Sequence, residues 1–248
     1  MKKFFSFLGL ITLICFSFFY TAKTVSVVKE FDDIMIDIKN IKEDYYVEPV
    51  NATIKDNEII PGISGVMVDI ETSYYKMKEY GKFNKNLLEF KSIKPEISII
   101  DNKNKYITSG NKSINNVSLI FDSNIETINE IALKNNVSMN YLIDSEFFDN
   151  NNDLINKLVK NNNFIIDAEW PNTVLKSLGQ NNCYELKNDF KKCYSIKPKT
   201  ISKLTNLSIS NGDILLIKIK DNKKIDYLIK SILSKGFNIV TLDELVTE

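Results

Sequence analysis

Residues 212–245 read GDILLIKIKDNKKIDYLIKSILSKGFNIVTLDEL, and the rhythm of this stretch decides the fold class. DILLIKI is an apolar run of strand length. IDYLIKSILSKG repeats its apolar residues at three-and-four spacing and closes on Gly236, and FNIVTL is a second strand before the tail DELVTE. A strand buried on both faces needs a continuous apolar run, so the stretch predicts a strand, helix and strand of a parallel sheet. Working backwards, VSLIF, VSMNYLI and FIIDAEW read as further strands, with IETINEIALKNN and DLINKLVKNN as helices between them. Strands alternating with helices imply an α/β fold with a parallel sheet or barrel.

The residues before this alternation have a different character. From Val27 to Tyr46, apolar Phe31, Ile34, Ile38 and Ile41 recur at helical spacing among charged residues, which predicts an amphipathic helix ended by Pro49. VEPVNATIKDNEIIPGISGVMVDI then reads as short strands joined by Asp-Asn and Pro-Gly turns, with Val66, Val68 and Ile70 alternating. ETSYYKMKEYGKFNKNLLEFK predicts two short helical pieces separated by Gly81. The polar loop at residues 101–116 marks the expected boundary between a small α+β region, 24–115, and an α/β domain, 116–248.

Residues 1–23 form a further segment. Lys2 and Lys3 precede an uncharged run from Phe4 to Ala22, long enough as a helix to cross about 30 Å of hydrocarbon. An uncleaved anchor is the favoured reading over a signal peptide, because cleavage after Ala22 would leave bulky Tyr20 where a small residue is wanted. The paired lysines favour a cytoplasmic N-terminus, although Lys23 and Lys29 weaken the asymmetry. The expectation is a single-pass protein of the bacterial cell membrane with its C-terminal domain extracellular. Ile14 before Cys15 argues against a lipid-attachment site, so Cys15 reads as an apolar residue of the span.

Composition excludes several classes of function. The chain has 248 residues, 32 Lys+Arg against 32 Asp+Glu, and a formal net charge of +0; every basic residue is Lys. A long-range field for nucleic acid is therefore missing. The count of His is 0, which removes every His-dependent triad and every His-ligated metal site. No Walker A or GxGxxG pattern occurs, and no cofactor or metal is expected. Cys183 and Cys193 are spaced too widely for a CxxC pair. They read as a disulfide that adds on the order of 2–3 kcal/mol if the domain is exported, with two buried thiols as the alternative. DNNND at 149–153 lacks the Gly and Glu of a calcium loop, having Leu154 and Lys160 instead, and reads as a solvated turn. Ser73 and Lys76, Ser109 and Asn111, and Lys199-Thr200 follow the chain order of penicillin-binding enzymes, but Ile201 stands where that motif has Gly.

Three segments together carry a resemblance: VSLIFDSN, NYLIDSEFFDNNNDLINKLVKNNNFIIDAEW, and the stretch from Gly212 to Leu245. They resemble a polysaccharide deacetylase domain, the NodB-homology group of carbohydrate esterase family 4, over residues 116–248. In that family a strand ending in Leu-His leads to a helix, a Lys-Gly turn and a strand ending in Val-Thr-Leu before Glu-Leu. Here the pattern is kept, except that Lys218 stands in place of the His. The resemblance implies a shortened, incomplete (β/α) barrel, since the Arg-Pro-Pro-Tyr motif has only YSIKP, Tyr194 to Pro198, as its nearest counterpart.

Active members of the family hold a metal with one Asp and two His, and a neighbouring Asp removes the proton of the attacking water. A divalent ion lowers the pKa of that water and polarises the amide carbonyl. By resemblance Asp122 falls on the base position and Ser123 on the metal-binding Asp, while the two His positions fall near Ala168 and Asn172. Asp167 and Glu169, alternating with Ala168, point to one face. They read as surface carboxylates, or as ligands of a harder ion beside Asp122. Trp170 either floors a sugar pocket or packs in the core.

The leading expectation is a catalytically inactive deacetylase-like protein that binds envelope glycan or an envelope protein. Its pocket candidates are Asp122, Ser123, Asp167, Glu169, Trp170 and Lys218. The alternatives are a divergent metal-dependent deacetylase acting on N-acetylated cell-wall polysaccharide, and a structural protein of envelope assembly.

Overall fold

The computed structural model of the chain describes all residues except 1–10, 18–19, 21–22, 25–26, 169–177, 187–192 and 206. In chain order, the first elements are α1 (Asp33–Ile41), β1 (Thr53–Lys55), β2 (Glu58–Ile60), β3 (Gly65–Val68), α2 (Ile70–Tyr80), β4 (Phe90–Ile93) and β5 (Tyr106–Ile107). They are followed by β6 (Asn116–Phe121), α3 (Ile125–Lys134), β7 (Asn140–Ile143), α4 (Ser145–Asn150), α5 (Asn152–Lys160) and β8 (Phe164–Asp167). The last are β9 (Tyr184–Glu185), β10 (Tyr194–Ser195), β11 (Lys199–Ile201), β12 (Ile214–Ile217), α6 (Asn222–Ser234), β13 (Asn238–Ile239) and α7 (Leu242–Val246). Contacts divide the chain into two compact units, one of Met1–Glu48 with Gly65–Ile93 and one of Pro49–Ser64 with Lys94–Glu248.

The larger unit holds a parallel sheet in the order β11, β12, β6, β7, β8, with β13 paired to the first two residues of β6. Its strands have continuous apolar runs because both faces are covered; β8 and β12 are buried along their whole length. Leu119, Phe121, Tyr141, Ile143, Ile165, Leu215 and Ile217 face the helices, where they pack with Ile128 of α3, Leu158 of α5 and Leu228 of α6. The intervening residues Ile120, Phe164, Ile166, Ile214 and Leu216 belong to a second core with Tyr184, Tyr194 and Ile196 and with Leu242 and Leu245 of α7.

Polar side chains knit this unit where strands alone do not. Buried Asn140 donates to Ser118 Oγ at 2.8 Å and to the Leu119 carbonyl at 2.8 Å, and its Oδ1 accepts from the Leu242 amide at 2.6 Å. One amide on β7 thus satisfies two groups on β6 and one on α7. Gln180 covers part of the edge of β8: its side-chain amide accepts from the Ile165 N–H and donates to the Ile165 carbonyl, both at 3.0 Å. Gly212, at φ +80°, approaches Gly110 so closely that a Cβ would lie 2.4 Å from the Gly110 carbonyl oxygen.

The smaller unit pairs β3 with β4 antiparallel and packs α1 against α2. Ile34, Met35 and Ile38 of α1 meet Val68, Tyr74, Met77 and Leu88 in its core. Each helix starts on an Asp that accepts a backbone N–H: Asp32 from Ile34, and Asp69 from Thr72.

Several expectations need correction. Phe31, expected on the apolar face of the first helix, is 77% exposed, because it lies in the turn before α1. Ile70 does not continue the β3 alternation; Asp69 caps the chain into α2 at that point. The units also do not part at residue 115, since β1 and β2 form a hairpin and β2 pairs in parallel with β5 inside the loop read as a boundary. Among the described residues no helix is long and apolar enough to cross a membrane. Residues 11–17 are helical, and the rest of the expected span, apart from Tyr20, lies outside the described residues.

Candidate functional site

The carboxyl ends of β6 and β12 bring Asp122 and Lys218 together. Phe121 and Ile217 are partners in the β6–β12 register, so Asp122 and Lys218 follow as opposite neighbours, both continuing the face of Ile120 and Leu216. Lys218 Nζ donates to Asp122 Oδ2, forming an ion pair. The Asp122 side chain is 25% exposed and that of Lys218 is 41% exposed, so the pair sits at the water-facing rim. Ser123 is exposed in the bend that leads to α3.

Asp167, a candidate ligand from the sequence, does not join this pair. Asp167 is buried at the end of β8 and paired in register with Ile143, which faces the helices together with Ile165. Strand alternation therefore turns Asp167 to the face opposite Asp122. Ala168 continues the chain with its N–H on the Ile143 carbonyl at 3.1 Å, and its methyl supplies no donor to a metal. Glu169, Trp170 and Asn172 lie outside the described residues. The metal implied by the fold family needs an Asp and two His; by the resemblance these positions fall at Ser123 and near Ala168 and Asn172, and the chain has 0 His. The residues present do not fit that ion. Among the described residues no three acidic or thiol side chains are placed to hold one.

Beside the ion pair, a cleft of about 560 Å³ opens at the carboxyl ends of β11 and β12. Lys203, Lys218, Lys220 and Lys224 line it with Asp221, over the aliphatic Leu204 and Ile219. Asp221 caps α6 by accepting from the Lys223 and Lys224 amides, and its carboxylate lies 3.9 Å from Lys224 Nζ. The sequence does not disclose this concentration of charge, because lysines are spread throughout the chain and those of the cleft come from two segments, around residues 203 and 220.

The cysteines form the expected disulfide: Cys183 and Cys193 are bonded, with Cα atoms 4.9 Å apart. It joins the short parallel pair β9–β10, whose Tyr184 and Tyr194 rings stack with centroids 5.7 Å apart. Tyr184 donates to Asp243 Oδ1 at 3.0 Å, and burial pushes its phenol far above the ordinary tyrosine value, with the Asp243 charge adding to the shift. The penicillin-binding-like residues have structural roles. Ser73 Oγ accepts from the Glu89 N–H at 2.8 Å, Lys76 pairs with Glu89, and Lys199 pairs with the buried Asp213 at 2.5 Å.

No protein-family model matches the chain. The uncharacterized protein YlxY of Bacillus subtilis (strain 168) is 29% identical over 143 residues, which are 55% of this chain and 45% of YlxY; the chain thus spans less than half the length of that relative. Wild-type BA3943 from Bacillus anthracis, described as a CE4 family pseudoenzyme, superimposes with a TM-score of 0.57 at 19% identity, covering 88% of this chain and 96% of its own. A BA3943 mutant, described as a pseudoenzyme with restored enzymatic activity, matches at a TM-score of 0.57 and 20% identity, over 88% of this chain and 99% of its own. This chain has the fold of the polysaccharide deacetylases, the NodB-type domain of carbohydrate esterase family 4.

Proposed function

We propose that this chain is a membrane-anchored, extracytoplasmic deacetylase-like protein that does not hydrolyse acetamides and instead binds envelope glycan or an envelope protein partner. The observation that carries the reading is the Lys218–Asp122 ion pair, which engages the carboxylate at the position of the water-activating base. A base must be free to accept the proton of its water, and in metal-assisted amide hydrolysis a divalent ion lowers the pKa of that water. Ser123 and Ala168 offer no ligand set for that ion. Supporting the same reading, BA3943, to which this fold is similar, is itself described as a pseudoenzyme. The anchor rests on the uncharged run from Phe4 to Ala22 behind Lys2 and Lys3.

The experiment combines two assays on the full chain in neutral detergent. Insoluble peptidoglycan should retain the protein in a pull-down, while N-acetylated peptidoglycan fragments should yield no acetate with added zinc, cobalt or manganese. Metal-dependent acetate release that Asp122→Asn abolishes would put a divergent metal-dependent deacetylase in its place. Co-purification of an envelope protein without glycan retention would favour the structural alternative.

A further inference from the structure

We propose that the lysine-lined cleft at the carboxyl ends of β11 and β12 is a binding site for a phosphate-bearing saccharide. The saccharide part rests on the glycan-binding reading above; the need for an anion rests on the cleft itself. The whole chain balances 32 basic against 32 acidic residues, so a cleft with four lysines and one carboxylate departs sharply from its surroundings. Within it, Lys218 is engaged by Asp122, and Asp221 lies beside Lys224. Lys203 and Lys220 carry no ion pair among the described residues. Two positive charges therefore face the cleft without a balancing carboxylate among the described residues, the complement of one phosphate monoester or of two successive phosphodiesters.

Lysine suits this ligand because its ammonium is a flexible point charge that meets phosphate from several directions without the planar match that arginine demands. Leu204 and Ile219 supply an aliphatic floor for the C–H face of a pyranose, and Ser202 and Thr205 place hydroxyls on the wall. A space of about 560 Å³ is of the size that holds a small saccharide. The cleft adjoins the deacetylase-like base position through Lys218 but does not use Asp122 for proton transfer.

The test is calorimetric titration of the full chain with N-acetylglucosamine oligomers carrying a 6-phosphate and with the same oligomers unphosphorylated. Inorganic phosphate and phosphatidylglycerol vesicles serve as two further probes. The phosphorylated oligomer should bind about tenfold or more tightly than the plain one, and this advantage should shrink as salt is raised. Lys203→Gln with Lys220→Gln should bring its affinity down to that of the plain oligomer. Lys134→Gln with Lys160→Gln, exposed lysines in the last turns of α3 and α5 at the other end of the sheet, should leave it unchanged. Equal affinity for both oligomers would overturn the inference and leave the glycan reading standing. Binding of the phosphorylated oligomer alone would uphold it. Inorganic phosphate or vesicles binding where the oligomers do not would overturn the saccharide assignment, as would equal losses in the two lysine pairs.

Discussion

Lys218 stands across the β6–β12 seam from Asp122 and holds its carboxylate, so the two residues that the resemblance sets at a histidine and at the base engage each other. At the rim of the sheet such a pair contributes little stability, about 0–1 kcal/mol. Lys218→Met should therefore shift the urea midpoint only slightly, and Lys218→His alone should release no acetate, because Ser123 and Ala168 still offer no ligands. Acetate release by that single variant would show that the lysine alone blocks the chemistry.

Asn140 is the polar keystone of the sheet. Asn140→Leu removes both donors and the acceptor at once, leaving the Leu242 N–H and Ser118 Oγ without this partner in the interior. A loss of about 2–4 kcal/mol is expected in chemical denaturation. A loss below about 1 kcal/mol would show that water or rearrangement satisfies these groups.

Two glycines separate backbone strain from collision. Gly81 has φ +88° with nothing within 4 Å of a built Cβ, whereas at Gly212 (φ +80°) the Cβ would meet the Gly110 carbonyl at 2.4 Å. Gly81→Ala should cost about 1 kcal/mol and Gly212→Ala distinctly more, since the second variant must also move backbone. Equal losses in thermal unfolding would contradict the close approach.

Reduction should loosen the β9–β10 segment. Opening the Cys183–Cys193 bond, by reductant or as Cys193→Ser, is expected to cost on the order of 2–3 kcal/mol. Denaturation with and without reductant measures it, and Cys193→Ser should no longer respond to reductant.

Acid should weaken the α3–α6 contact. The Lys230 ammonium, then the Asn135 amide, hold the Asp226 carboxyl below its ordinary value of 3.8. A depressed folded-state pKa means that the contribution is full above 3.8 and is lost as pH falls through the lower folded value. Stability measured across this range should fall less steeply for Asp226→Asn than for the unaltered chain.

Much of this architecture was legible in local pattern. VSLIF and DILLIKI announce strands buried on two faces, and the Asp56-Asn57 turn lies between the paired Lys55 and Glu58. The resemblance, by setting Lys218 against the family histidine, singled out both members of the ion pair, although only the register of β6 and β12 reveals that they meet. What local pattern lacks is information about distant partners. Tyr106 and Ile107 form a strand in a polar loop because Glu58 and Ile59 receive them. Asp167 turns away from Asp122 because its neighbour Ile165 is committed to the helices. The lysine cleft is likewise a product of the β11–β12 pairing, which brings together residues more than a dozen positions apart.

Acetate release is the decisive readout of the proposal that this deacetylase fold hydrolyses no acetamide. The full chain, shown to be folded, is incubated with N-acetylated peptidoglycan fragments and amino-sugar oligomers in the presence of zinc, cobalt or manganese, beside Asp122→Asn. The expected result is acetate at the level of the protein-free blank for both proteins. Turnover by the unaltered chain that disappears in Asp122→Asn would contradict the account and establish a histidine-free catalytic site.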